Sequence, residues 1–285
     1  MDNFYNFSND KFINIKSKMI MKINKNKNIL ILGYGKTGKS IAEFLNHKKF
    51  NIFFWDDNKA VLDNLDSHFI KYNQQSLRIF ESIFVSPGIN KKHKIIKTAI
   101  KNKIKISSDI ELFFNLLKKK KNNNSLLAIT GTNGKSTIAL MIAEALKLNP
   151  LANFGNLVLE NIPKENDKIV LELSSFQLEY LDYIKPKVSI ISNLKEDHIS
   201  YHGSFENYKN SKIKICSNQD NKDFTVLNFD DYNLRKYLFK KHITKAKEIW
   251  VSSQKRIKNG ISFLGDNLYD DYFTKKKFKV KRIYF

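Results

Sequence analysis

A short glycine loop between an apolar stretch and a helix constrains this chain more than any other segment. Its residues are Gly131, Thr132, Asn133, Gly134, Lys135, Ser136 and Thr137. The apolar stretch 126–129 precedes the loop. Apolar residues at helical spacing follow it, and they predict a helix whose buried face carries Ile138, Met141, Ile142 and Ala145. Backbone N–H groups and a helix N-terminus in this setting form a cradle for phosphate.

Two side chains of the loop would complete such a phosphate site. Lys135 is expected at the outer phosphates, and the hydroxyl of Ser136 at Mg²⁺. The longer phosphate-loop pattern requires glycine where Ile129 stands, so a general nucleotide triphosphatase fits less well than a family with the shorter loop. The alternative is a chance Gly-Lys-Ser turn, against which two glycines at a strand–helix junction argue.

Length and composition indicate a globular protein of two domains. The chain has 285 residues, of which 42% are apolar. The net charge of +22 would suit a nucleic-acid binder, but the lysines are spread along the chain without interleaved aromatic residues, so we expect no nucleic-acid partner.

Cys216 is the one cysteine and excludes an internal disulfide. The sequence has neither a signal-peptide pattern nor a membrane span, and we expect a cytoplasmic location.

The order of apolar stretches predicts two α/β domains. Residues 1–24 lack a regular pattern and are interpreted as an N-terminal extension. Residues 25–107 are predicted to form a Rossmann-like domain with a parallel sheet, and residues 108–285 a second α/β domain that carries a nucleotide loop of the phosphate-loop type. The Lys/Asn run at 118–124 is interpreted as a solvated linker. Beyond about residue 246 the apolar pattern is short and broken, which predicts a hairpin or small peripheral strands.

A second glycine motif follows the first predicted strand. Gly33, Gly35 and Gly38 have the dinucleotide-binding spacing, and Asp56 lies near the distance expected for a ribose-binding acid. The motif would suit NAD, a nucleotide diphosphate, or tight strand–helix packing without a ligand. Because a second nucleotide loop follows at 131–136, a dehydrogenase is the less attractive alternative.

Three side chains outside the two loops are candidates for metal or catalytic chemistry. Glu172 ends a buried strand, where a carboxylate is costly unless it is paired, so Mg²⁺ or a lysine is its expected partner. His198 follows the next strand, where ligand crevices form, and is a candidate second metal ligand. From its neighbours in the sequence, Lys212 is interpreted as a solvated lysine on a helix face. The other histidines are interpreted as structural or exposed: His47, His68, His93, His202 and His242.

These motifs, taken in their order along the chain, resemble the Mur ligase family. The matching segments are 33–38, 86–89, 108–113, 131–136, 155–156, 171–179, 193–198, Lys212 and 228–231. The most specific is Leu171-Glu172-Leu173-Ser174-Ser175-Phe176-Gln177, which is similar to the family member that adds D-glutamate.

The resemblance implies an ATP-dependent ligase of peptidoglycan precursor synthesis, which joins D-glutamate to UDP-N-acetylmuramoyl-L-alanine through an acyl phosphate. It implies ATP at residues 131–137 and catalytic roles for Lys135, Glu172, His198 and Lys212. It also implies Mg²⁺ held by Ser136, Glu172, His198 and Lys212, with the lysine carbamylated.

The resemblance further implies a UDP-substrate site and a difference from the family. The site residues would be Gly35, Lys36, Thr37, Asp56, Ser86, Pro87, Gly88 and Asn156. Leu157-Val158 stands where the family usually has Ile-Gly, and the third, C-terminal domain with the D-glutamate site is expected to be missing from these 285 residues. Two alternatives follow: an enzyme completed by a separately encoded C-terminal domain, or a catalytically incomplete remnant that binds nucleotide and UDP-substrate.

Overall fold

The computed structural model of the chain describes residues 28–45, 50–73, 76–119, 125–152, 155–240 and 243–280. They form two compact units: one has the described residues up to 119 together with 157–162, and the other has those of 125–156 and 163–280. Each unit has its own sheet flanked by helices, which confirms the predicted pair of α/β domains. The predicted extension 1–24 and most of the predicted linker lie outside the described residues. The domain boundary at 107/108 stays a prediction; the helix that follows it groups with the first unit.

The first unit is built on a five-stranded parallel sheet with the order β3-β2-β1-β4-β5. Its strands are β1 Asn28–Leu32, β2 Asn51–Trp55, β3 Ile70–Lys71, β4 Phe80–Val85 and β5 Lys105–Ser107. Its helices are α1 Lys36–Leu45, α2 Lys59–Asp63, α3 Lys94–Lys101 and α4 Asp109–Lys119. The strand order reverses between β1 and β4, so a ligand crevice is expected beyond the carboxyl ends of these two strands.

Buried aliphatic residues explain why β1 and α1 pack together. All four apolar residues of β1, 29–32, are fully buried, as a parallel strand covered on both faces requires. Helix α1 turns Ile41, Phe44 and Leu45 inward, as its spacing predicts. A Cβ on Gly38 would lie 2.0 Å from the carbonyl oxygen of Gly33, so glycine is required for α1 to lie this close to the end of β1.

The second unit is built on a nine-stranded sheet with the order β14-β13-β12-β11-β10-β9-β6-β8-β7. Its strands are β6 Ser125–Thr130, β7 Leu151–Ala152, β8 Lys168–Glu172, β9 Val188–Ile191, β10 Phe224–Asn228, β11 Lys247–Ser252, β12 Ile261–Leu264, β13 Asn267–Asp270 and β14 Lys276–Lys279. Its helices are α5 Lys135–Leu146, α6 Ser175–Glu179, α7 Ile199–His202, α8 Phe205–Ile213 and α9 Tyr232–Lys240.

The last four strands differ in part from the predicted hairpin. β12, β13 and β14 pair antiparallel, as a hairpin requires, but β11 is a further parallel strand of the main sheet, beside β10. Its apolar run, 249–251, is only three residues long, and Gly260, Gly265 and Asn267 break the pattern that follows, so the sequence did not distinguish β11 from a peripheral strand. No helix in the described part of the chain is long and apolar enough to span a bilayer.

Helix α5 buries only part of the face that its apolar spacing predicts, since Ile138 and Ile142 pack against the core and Met141 and Ala145 do not. Met141 is 61% exposed and Ala145 is exposed as well, whereas Ala139 and Ala143 are buried against Ile129 and Val170. The prediction of Met141 and Ala145 on the core face is therefore wrong. The two small alanines allow the helix to approach strands β6 and β8 closely, which larger side chains on that face would prevent.

Candidate functional site

The glycine loop connects β6 to α5 and needs both of its glycines. A Cβ on Gly131 would lie 1.9 Å from the hydroxyl oxygen of Ser192, so no other residue fits there without moving a strand end. Gly134 has φ +76°, in the left-handed region that favours glycine, and lies immediately before the first residue of α5. It makes no side-chain cap for the helix. The first N–H groups of α5 thus keep the geometry of an anion site.

Sheet order brings the candidate residues of the second unit to one edge. β6 lies between β8 and β9, and all three strands run parallel. Their carboxyl ends therefore place the glycine loop beside Glu172, which ends β8, and beside the segment that follows Ile191. Residues far apart in sequence meet here because the strands share a direction.

Lys135, Ser136 and Glu172 occupy the centre of this edge. The hydroxyl of Ser136 donates a 2.9 Å hydrogen bond to Oε2 of Glu172. Nζ of Lys135 folds back over the loop and donates to the carbonyl of Thr132 at 2.8 Å. Glu172 is fully buried in the sheet, so its carboxylate requires partners that compensate its desolvation.

Lys212 is buried, contrary to its expected place on a solvated helix face. The residue is 2% exposed, and its Nζ donates to the carbonyl of Gly131 at 2.7 Å. The pKa of Lys212 is lowered to about 7, first by burial and then by the nearby Lys135, while Asp197 and Glu172 act in the opposite direction. A large fraction of this amine is therefore uncharged near neutral pH.

His198 lies at the start of α7, in a left-handed backbone conformation with φ 50°. Its Nε2 lies 3.4 Å from Oδ2 of Asp197, and its ring contacts Phe176 and Tyr208 at centroid distances of 4.7 and 6.2 Å. The hydroxyl of Tyr208 in turn donates to Thr132 of the glycine loop at 3.1 Å. His198 is thus placed next to the loop through Tyr208.

The composition of the edge fits magnesium bound together with phosphate. Within the described ranges, no group of three or more His, Cys, Asp or Glu side chains could hold a metal ion. Mg²⁺ commonly uses one or two carboxylates and completes its shell with phosphate oxygens and water. Glu172 with the Ser136 hydroxyl beside an anion cradle is a donor set of this kind.

Asn193 is a site residue that the candidate set omitted. Its side-chain oxygen accepts from the backbone N–H of Asn133 at 2.9 Å, and its Nδ2 donates to the carbonyl of Asn133 at 2.9 Å. Its own carbonyl accepts from the N–H of Thr132. Asn193 therefore fixes the shape of the glycine loop. Its position just after β9, next to the loop strand, was the signal in the sequence.

A cavity of about 650 Å³ adjoins the glycine loop. Asn133, Gly134 and Thr137 line one side, and Asn228 and Ser252 lie among the residues at the ends of β10 and β11 that line the other. Asp230 holds the mouth of the cavity in shape, because its carboxylate accepts from the hydroxyls of Ser252 and Ser253 and from the N–H of Ser253.

The candidate UDP-substrate residues of the first unit gather at the switch point between β1 and β4. The hydroxyl of Ser86 donates to the carbonyl of Gly33 at 3.3 Å and so joins the two strand ends. Asp56, after β2, accepts from the N–H of Tyr34 at 3.0 Å. Gly35 and Gly88 in the adjacent turns and Lys36 at the start of α1 are exposed, and Thr37 and Pro87 are half-buried.

Asn156 differs from the other candidate UDP-substrate residues because it belongs to the second unit. Its carbonyl accepts from the N–H of Ala152, and its Nδ2 donates to the carbonyl of Pro150 at 3.1 Å. These bonds hold Asn156 against both ends of β7.

The architecture defines a class of protein before any comparison is made. A Rossmann-like unit is followed by an α/β unit whose glycine loop meets a serine, a buried carboxylate and a buried lysine, as in a nucleotide-binding enzyme. Residues 129–278 match the model of the Mur ligase middle domain, and residues 27–108 match that of the Mur ligase MurD-like N-terminal domain. The chain belongs to the Mur ligase family.

Curated relatives share this organisation. Over 273 residues the chain is 35% identical to the UDP-N-acetylmuramoylalanine–D-glutamate ligase of Rickettsia bellii (strain RML369-C), covering 91% of this chain and 59% of that protein. It is 34% identical to the ligase of the same name from Clostridioides difficile (strain 630), over 90% of this chain and 59% of that protein. The chain thus spans about 59% of the length of these relatives.

A solved structure agrees in fold. The UDP-N-acetylmuramate:L-alanyl-gamma-D-glutamyl-meso-diaminopimelate ligase from Neisseria meningitides superposes with a TM-score of 0.52 at 14% identity, covering 89% of this chain and 87% of that chain. At this identity the likeness concerns the fold alone.

Proposed function

We propose that this chain supplies the nucleotide-binding and UDP-substrate-binding domains of an ATP-dependent ligase. The whole protein would join D-glutamate to UDP-N-acetylmuramoyl-L-alanine in peptidoglycan precursor synthesis. The observation that carries the proposal is the meeting of Lys135, Ser136 and Glu172 around the glycine loop. The names of the relatives from Rickettsia bellii and Clostridioides difficile support the choice of substrates.

The glycine loop suits the phosphates of ATP. Its backbone N–H groups and the start of α5 favour negative charge, and Lys135 needs only to leave the carbonyl of Thr132 to reach an outer phosphate. The neighbouring cavity, with Asn228 and Ser252 in its wall, offers room and polar groups for the nucleoside.

The reaction explains why charge neutralisation and positioning are needed. A carboxylate is a poor electrophile, so the carboxylate of the UDP-substrate would first take the outer phosphoryl group of ATP, with release of ADP. The amine of D-glutamate then attacks the acyl phosphate, phosphate leaves, and the amine loses a proton. Lys135 would stabilise the charge on the transferred phosphoryl group, which is the main contribution a protein makes to such a transfer.

Ser136 and Glu172 are the residues that would hold Mg²⁺, with His198 and Lys212 serving a second ion. Bound Mg²⁺ would supply charge neutralisation for the phosphates. Lys212 suits this role after carbamylation, in which its uncharged amine attacks CO₂ and loses a proton, leaving a carbamate anion. Its pKa of about 7, caused first by burial, provides the uncharged amine that this step requires.

The crevice at the switch point of the first unit would take the uridine diphosphate. The turn after β1, the start of α1 and the turn after β4 would present Gly35, Lys36, Thr37, Ser86, Pro87 and Gly88 there, and Asp56 holds the first turn in shape. Asn156 is a further candidate substrate-binding residue.

Calorimetry with the Lys135→Ala variant tests the nucleotide assignment. A charge-assisted contact is worth about 1.5–3 kcal/mol, so the Kd of Mg·ATP should rise about 10- to 100-fold. Lys147→Ala, which removes the lysine at the other end of the same helix, is the matched control and should bind as the wild type does. Equal affinity of the Lys135→Ala variant and the wild type would refute the assignment of the loop.

A further inference from the structure

A buried histidine outside the proposed binding residues has both ring nitrogens next to polar side chains. His202 is 1% exposed; its Nε2 lies 3.0 Å from the hydroxyl oxygen of Ser175, and its Nδ1 lies 3.5 Å from Oε2 of Glu179. The order serine, histidine, carboxylate is that of a nucleophilic triad, but Nδ1 of His202 makes no hydrogen bond to Glu179, so the second bond of a triad is missing. Ser175 is itself only 2% exposed, so its hydroxyl cannot reach a substrate. The contact of Nε2 with Ser175 instead holds the His202 ring in place.

The fixed ring supports a second ring by stacking. His202 and Phe176 lie nearly parallel, with an interplanar angle of 12° and a centroid distance of 5.8 Å. This distance lies within the range of offset-stacked aromatic pairs. Tyr201 and Tyr208 meet the His202 ring edge-on at 4.8 and 5.3 Å. His202 therefore lies at the centre of an aromatic cluster formed by Phe176, His198, Tyr201, His202 and Tyr208.

The same Phe176 ring contacts His198. Their centroids are 4.7 Å apart, closer than the 6.2 Å between His198 and Tyr208. The His198 side chain is 46% exposed, and the side chain of Asp197, 3.4 Å away, is 42% exposed. An ion pair this exposed contributes little to the orientation of the His198 ring. The orientation of the His198 ring thus depends mainly on Phe176. Two rings support Phe176 in turn: Tyr201 meets it edge-on at a centroid distance of 4.5 Å, and His202 stacks on it at 5.8 Å.

We propose that His202 is a positioning residue that holds the His198 imidazole beside the glycine loop through the stacked Phe176 ring. The inference rests on the proposed function for the role of His198 as a ligand in the nucleotide site. It assigns a role to a histidine that the sequence analysis interprets as structural or exposed.

The first test measures the His198 ring directly, in the full 285-residue chain without nucleotide or metal. Histidine ring resonances are recorded by NMR with ¹³C-labelled histidine, and His198 is identified by its loss in His198→Gln. The ring current of the nearby Phe176 should give the His198 ring chemical shifts that differ from those of the exposed His68. In Phe176→Leu this difference in chemical shift should be lost completely, so this variant serves as the reference for the loss.

Two substitutions separate the stacking contact from the hydrogen bond. His202→Phe keeps a ring for stacking and loses the bond to Ser175, whereas His202→Gln keeps a polar nitrogen for Ser175 and loses the ring. We expect the chemical-shift difference of His198 to persist in His202→Phe and to fall toward the Phe176→Leu value in His202→Gln. Unchanged His198 signals in a folded His202→Gln protein, or equal loss in both variants, would overturn the proposal.

The second test uses Mg·ATP as the probe. Outer partners that orient a binding residue typically change affinity or activity by about 10- to 100-fold, so His202→Gln should weaken Mg·ATP about tenfold, and His202→Phe less. His68→Gln, in the other unit, is the control and should leave the affinity unchanged. If the wild type fails to bind Mg·ATP, the proposed function fails, while the NMR comparison still decides the role of His202. Equal Mg·ATP affinity of His202→Gln and wild type would overturn the link from His202 to the nucleotide site.

Discussion

Replacement of Lys212 by methionine should remove a large part of the pH dependence of stability between pH 7 and pH 9. The pKa of this amine is about 7 in the folded chain because burial penalises its charge, against 10.5 for a free lysine. Methionine fills a similar volume without a charge, so the variant retains the packing of α8 and loses the titration.

The direction and size of the effect follow from proton linkage. Between pH 7 and pH 9 the unfolded chain keeps the proton on Lys212, whereas the folded chain loses it. Stability rises with pH wherever the unfolded state binds more protons, so the wild type gains stability over this range. With pKa values of about 7 and 10.5 the gain is about 2 kcal/mol.

Urea unfolding at a series of pH values, in buffers freed of CO₂ to prevent carbamylation, measures this gain. In a Trp55→Phe background the remaining tryptophan is Trp250, which reports on the second unit. Lys258→Met, a change at an exposed lysine of the same unit, is the control and should follow the wild-type curve. Equal pH slopes for wild type and Lys212→Met would refute the claim that the amine is buried with a depressed pKa.

Three further outcomes test other parts of the structure. Gly38→Ala should destabilise the first unit by about 1–3 kcal/mol, because its Cβ would lie 2.0 Å from the Gly33 carbonyl oxygen. A Cβ on Gly35 meets open space, so Gly35→Ala should leave stability within about 1 kcal/mol of wild type, while calorimetry should show weaker binding of UDP. An equal loss of stability in the two variants would contradict this. With ¹³C-bicarbonate, wild type should show a carbamate resonance in NMR that Lys212→Met lacks; a signal in both would assign it elsewhere. The 285-residue polypeptide, which spans 59% of its relatives' length, should not ligate radiolabelled D-glutamate by itself, because loss of an oriented reactant can remove effective molarities of about 10⁵–10⁸ M; labelled product at a working enzyme's rate would contradict this.

The strands and the glycine loops could be predicted because their signals are local. The segment 51–55 is predicted to be a strand and forms one in the structure. The two glycine motifs lie at strand–helix junctions, as their spacing indicates. The sequence also predicted Glu172 at the end of a buried strand beside the glycine loop, and in the structure its carboxylate accepts a hydrogen bond from Ser136 of that loop.

The errors came from packing, which the local pattern does not contain. Helix α5 is apolar on most sides, so its spacing could not show that Ala139 and Ala143 face the sheet. Strand β11 carries polar residues at positions that a parallel pair with β10 still accommodates. In both cases the neighbouring strand decided the outcome.

Lys212 illustrates which further signal could have been used. Tyr208 and Lys212 are four residues apart and lie on one face of α8. Both reach the glycine loop: the Tyr208 hydroxyl donates to Thr132, and Nζ of Lys212 donates to the carbonyl of Gly131. The i, i+4 spacing places both side chains on one helix face, and the structure shows that this face is the buried one. Burial, together with the nearby Lys135, is what leaves the amine of Lys212 uncharged enough to react.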